Sequence, residues 1–143
     1  MNTQEQLTQV FNDNFVAYYR AHLAHVNIVG RNFYSDHKLL EKIYESLQDQ
    51  IDTIAELLRA MDEFMPVEIQ DVLNQSHIGT GILEGSSDDL LSSIMMDLLE
   101  LKEQYEELMR ISETEGYEEI GNYSQDRILA LEKQIWMLRS TLE

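Results

Sequence analysis

The sequence predicts an all-α fold, a four-helix bundle with a short helix in its one long crossover, on three observations. Only one proline occurs in 143 residues, so long stretches are free to be helical. Apolar residues recur at intervals of three and four in four long segments. No segment sustains the two-residue alternation of a half-buried strand.

The first helix carries Leu7, Phe11, Phe15, Tyr18, His22 and His25, and Gly30 interrupts the pattern. Asn32 or Ser35 caps the second helix, whose apolar face is Leu40, Ile43, Leu47, Ile51, Ile54, Leu58 and Met61. That helix is expected to stop just short of Pro66, because the residue before a proline is pushed out of helical geometry. Residues 66–85 form the irregular stretch, with a short helix expected around Val67, Ile69, Val72 and Leu73. Ser86-Ser87-Asp88-Asp89 then supplies N-caps and first-turn carboxylates. A third helix runs through Leu91, Ile94, Met95, Leu98, Leu101, Tyr105, Leu108 and Met109 to near Gly116. After a turn expected around Gly121-Asn122, the fourth carries Ile128, Leu131, Ile135, Leu138 and Leu142. Two short turns and one long connection between the second and third helices describe antiparallel helices of roughly 35–45 Å. The length suits one domain spanning residues 1–143.

Composition narrows function by exclusion. Ten Lys and Arg against 27 Asp and Glu give a net charge of −17, which repels DNA phosphates and anionic membranes. No cysteine is present, so disulfides, thiolate nucleophiles and Cys-type zinc sites are ruled out. No apolar run reaches membrane-spanning length, and the N-terminal residues have neither the basic start nor the apolar core of a signal peptide. The expected location is the cytoplasm.

Histidines and carboxylates within the helical stripes are the candidate chemistry. His37 and Glu41 lie four apart on one face of the second helix, and Asp52 and Glu56 repeat the spacing. The fifteen residues from His37 to Asp52 bring the two pairs within roughly 60° in azimuth but about 22 Å apart along the axis. No single ion reaches both from one straight helix. Either the pairs serve different sites, or a second copy running antiparallel brings one chain's His37 beside the other's Asp52 across a two-fold interface.

Three segments resemble the Dps family, the miniferritins: His25 to His37, with its glycine and Asn32-Phe33; Asp52-Thr53-Ile54-Ala55-Glu56; and Leu131 to Arg139 around Trp136. The resemblance spans nearly the whole chain and implies a ferritin-like bundle assembled as a shell of twelve subunits. It implies ferroxidase sites at two-fold interfaces, with His25 and His37 from one subunit and Asp52 and Glu56 from its partner. Glu41 stands where many members have an acidic ligand. The implied activity is iron storage: Fe(II) bound, oxidised by hydrogen peroxide in preference to oxygen, and deposited as ferric mineral, which limits oxidative damage. The ligand types suit iron, since carboxylates stabilise Fe(III) and neutral imidazoles hold Fe(II) without oxidisable thiolates.

The chain departs from the family pattern in three ways. Val26 occupies the position after the first ligand histidine, where members commonly have Trp. No Lys or Arg precedes Arg20 and no basic segment follows the last helix, which argues against the DNA-binding behaviour of lysine-tailed members. Tyr117 falls near the position of the family's pore aspartate, leaving Glu113, Glu115, Glu118 and Glu119 to supply negative charge there. The alternative is a DNA-binding or structural shell with little ferroxidase activity. Simpler roles suit other residues: packing for His22, Trp136 and the methionines, a surface position for His77, and a solvated face for Glu103, Glu106 and Glu107.

Overall fold

A computed structural model describes residues 1–143, with five helices and no strand. These are α1 (Thr3–Asn27), α2 (Phe33–Ala60), α3 (Ile69–Gln75), α4 (Ser87–Glu115) and α5 (Glu118–Leu142). The helix ends follow local chemistry. Asn2 caps α1, its side chain accepting from the Glu5 N–H at 2.8 Å. Ser86 and Asp89 form a reciprocal capping box on α4, and Gly116 closes that helix in the left-handed conformation at φ +84°.

The long helices pack in the cyclic order α1, α2, α5, α4. Helix α1 lies against both α2 and α4, and α4 lies against α5. Side chains bridge α2 to α5: the Tyr123 hydroxyl donates to Gln50 Oε1 at 2.6 Å, and Arg127 donates to Ser46 Oγ at 3.2 Å. A single core of 26 buried apolar residues runs along the bundle and includes Leu7, Leu40, Leu47, Leu58, Leu98 and Leu138. This is the four-helix architecture with the long crossover read from the sequence, and α3 sits in that crossover, packed on α1.

Two boundaries differ from expectation. Helix α2 ends at Ala60, short of Pro66, because the chain turns at Asp62 with φ +63°. The α4–α5 corner lies at Gly116-Tyr117, so Gly121 and Asn122 are inside α5. Gly121 is buried, and a Cβ there would sit 3.4 Å from both Glu113 Cγ and Ser112 Oγ. It is a packing glycine rather than a breaker.

A polar layer crosses the bundle between α2, α4 and α5. Burial pushes the phenols of Tyr105 and Tyr123 well above their ordinary range, so both stay neutral. On the other side Arg20 of α1 pairs with Asp97 of α4 at 2.7 Å. Burial raises Asp97 more than the neighbouring guanidinium lowers it.

Candidate metal centre

The α1–α2 connection builds the site. Helix α1 ends two residues beyond His25, so the His25 carbonyl is among the last carbonyls left without a helical partner. His37, one turn into α2, supplies the missing donor: its Nδ1–H reaches the His25 carbonyl at 2.7 Å. The bond is returned by His25 Nδ1–H to the His37 carbonyl, also at 2.7 Å. The two imidazoles stack with centroids 3.8 Å apart and planes 15° from parallel, and Phe33 lies over His37 at 4.9 Å. Donation from Nδ1 fixes both tautomers and leaves both Nε2 atoms free as ligands.

The carboxylates are placed differently. Glu41, one turn beyond His37, pairs with Lys38 at 3.1 Å. The hydrogen bond from that ammonium holds the Glu41 carboxyl below the usual carboxylate range, assisted by the nearby His25 and His37. Asp52 and Glu56 lie fifteen and nineteen residues beyond His37 on α2, exposed and without hydrogen-bond or ion-pair partners. The fold therefore joins His25 to His37 but leaves Asp52 and Glu56 far from them. No group of three or more ligand-type side chains occurs within the chain. The two open imidazoles and the distant, unengaged carboxylate pair are not brought together within one chain.

Other residues fall into place around this pair. His22 stacks face to face on Tyr44 of α2, with centroids 4.0 Å apart and planes 4° from parallel, and Tyr44 lies 5.0 Å from His25. His22 Nδ1 is 3.0 Å from the Tyr18 hydroxyl. Val26 is exposed beside a cleft of about 330 Å³ lined by Tyr18, Tyr19, His22, Leu23 and Asn27. His77 is exposed at the surface, as expected, and is tied down there: its backbone N–H at 2.6 Å and its ring at 3.0 Å both engage the fully buried Asp13. The acidic corner is divided. Glu113 and Glu118 flank an open cleft with Asn122, whereas Glu115 accepts from the Thr3 N–H and hydroxyl, which lowers its carboxyl.

A four-helix bundle with a long second crossover and paired histidines at the α1–α2 corner defines a ferritin-like protein. The ferritin-like domain family model matches residues 4–143. The DNA protection during starvation protein of Helicobacter pylori is 29% identical over 99% of both chains. Antigen TpF1 of Treponema pallidum is 34% identical over 97% of this chain and 79% of its own length. In fold, the Dps of Listeria innocua superposes with a TM-score of 0.94 over 99% of this chain and 95% of its own, at 21% identity. The chain belongs to the ferritin-like family and, within it, to the Dps proteins. Iron storage and DNA protection are the functions of that family. No helix of the chain is long and apolar enough to cross a membrane.

Proposed function

We propose that the protein is an iron-storing ferroxidase whose oxidation sites are shared between two copies of the chain. His25 and His37 of one copy bind Fe(II) through their free Nε2 atoms. Asp52 and Glu56 of the other complete the coordination and take up the extra positive charge when Fe(III) forms. Glu41 is the fifth ligand, released from Lys38 when a cation arrives. The substrate is Fe(II) and the favoured oxidant is hydrogen peroxide: two Fe(II) each lose one electron, the O–O bond breaks, and two protons complete two waters. Ferric mineral accumulates inside a closed shell of twelve chains, and removing Fe(II) and peroxide together suppresses radical production.

One observation carries this reading, namely the reciprocal Nδ1-to-carbonyl clasp that presents two imidazoles with both Nε2 atoms free. The separation of about 22 Å to Asp52, from fifteen residues at 1.5 Å, supports a second chain as the source of the carboxylates. Several relatives are named for DNA protection. With a net charge of −17, protection here comes from clearing iron and peroxide rather than from coating phosphates.

The test is stopped-flow absorbance on anaerobic Fe(II)-loaded protein mixed with peroxide or oxygen. A fast phase in the native protein, quicker with peroxide and abolished by His25→Ala with His37→Ala, is the expected result. Oxidation no faster than buffer, or unchanged in the double variant, refutes the assignment.

A further inference from the structure

An aromatic path leads away from the histidine pair, and its far end is a phenol with a proton acceptor. His25 neighbours Tyr44 at 5.0 Å between centroids. Tyr44 stacks in parallel on His22 at 4.0 Å. His22 Nδ1 meets the Tyr18 hydroxyl at 3.0 Å, one turn back along α1. Three rings from two helices are thus in van der Waals contact in series, beginning at a proposed iron ligand.

The two tyrosines differ in one chemically decisive respect. Removing an electron from a neutral phenol makes its hydroxyl strongly acidic, so the electron leaves readily only if the proton has somewhere to go. No protein group accepts from the Tyr44 hydroxyl, whereas Tyr18 faces an imidazole nitrogen. Tyr105 and Tyr123 hydrogen-bond within the polar layer on the α2, α4 and α5 side, to each other and to Gln50, and face no base.

We infer that Tyr18, paired with His22 and connected through Tyr44, is a one-electron donor to the iron site. The inference rests on the ferroxidase reading above. Its use arises when peroxide, a two-electron oxidant, meets a site holding a single Fe(II). Fe(II) supplies one electron and Tyr18 the other, and the peroxide O–O bond breaks. The phenolic proton passes to His22 Nδ1 and on to solvent. With one proton from the phenol and one from solvent, the products are Fe(III), two waters and a neutral Tyr18 phenoxyl radical. Without that donor, the half-reduced peroxide leaves as hydroxyl radical. The side chain therefore keeps an under-loaded site from generating the damage that iron storage is meant to prevent.

The experiment is rapid-freeze-quench electron paramagnetic resonance on assembled protein, loaded anaerobically with less Fe(II) than the histidine pairs can bind and mixed with peroxide. The native protein is expected to give a tyrosyl signal whose splitting collapses when ring-deuterated tyrosine is incorporated. Tyr18→Phe, which keeps the ring and its packing, loses that signal and releases more hydroxyl radical to a spin trap. His22→Phe keeps an aromatic ring on Tyr44 but removes the base, and it weakens the signal in the same way. Tyr123→Phe leaves the signal intact. A tyrosyl signal that survives Tyr18→Phe, or no tyrosyl signal in native protein that oxidises iron rapidly, overturns the inference while leaving the ferroxidase reading standing. Absence of rapid oxidation in the native protein overturns both.

Discussion

The histidine clasp joins two jobs that substitution can separate. Each imidazole uses Nδ1 to tie α1 to α2, and in the proposed site its Nε2 binds iron. An asparagine amide nitrogen sits at nearly the position of Nδ1 and also donates, but nothing replaces Nε2. His25→Asn with His37→Asn should therefore retain both ties, whereas the corresponding double alanine variant loses them. Two neutral hydrogen bonds at about 1 kcal/mol each, with a ring stack worth about 0.5–1.5 kcal/mol, put the alanine pair about 3 kcal/mol below native. The asparagine pair keeps the hydrogen bonds and loses only the stack, a cost of about 1 kcal/mol. Denaturant unfolding at fixed protein concentration measures the difference, and the same samples are assayed for Fe(II) oxidation. Both double variants should lack the fast oxidation phase despite their different stabilities. Native-rate oxidation by the asparagine pair would show that Nε2 is not the ligand atom, and equal stability of the two variants would show that the clasp contributes nothing to the corner.

Three further outcomes follow from the fold. Gly85→Ala should destabilise by about 1–3 kcal/mol by denaturant titration, since φ is +133° and a Cβ would lie 2.6 Å from Asp89 Oδ2. Arg20→Ala leaves Asp97 buried without its cation and should cost about 3 kcal/mol at neutral pH, less in acid, where the already raised carboxyl takes up a proton. Asp89 is held below its ordinary value by the Ser86 backbone and side chain. Its contribution is therefore present above the unfolded value of 3.8 and lost as pH falls through the lower folded one, so Asp89→Asn should flatten the acid limb of stability against pH.

The sequence carried the helices because a single proline and unbroken spacings of three and four admit little else. It misplaced the last corner because glycine has two meanings. Gly116 ends α4 by adopting positive φ, while Gly121 lets α5 approach Ser112 and Glu113. Only packing distinguishes the two. Of the candidate site, His25 and His37 were legible as a pair through family resemblance, and the separation of Asp52 from His37 was legible from helical rise alone. The mutual carbonyl clasp was not, since it depends on how α1 and α2 meet. The Tyr44–His22 stack was hidden for the same reason, although the four-residue spacing of Tyr18 and His22 marked that contact. His77 was legible as a surface residue, but its tie to Asp13 was not, since Asp13 lies 64 positions earlier in α1.

In the proposed oxidation site the histidines come from one chain and the carboxylates from another. Co-assembly tests this directly. Chains with His25→Ala and His37→Ala are refolded together with chains carrying Asp52→Ala and Glu56→Ala, and peroxide-driven Fe(II) oxidation is measured by stopped flow. Each variant alone should be inactive. In an equal mixture about half of the two-fold interfaces pair unlike chains, and one of their two sites is fully intact, so about a quarter of the native fast phase should return. No recovery in shells shown to contain both chains would contradict the shared site.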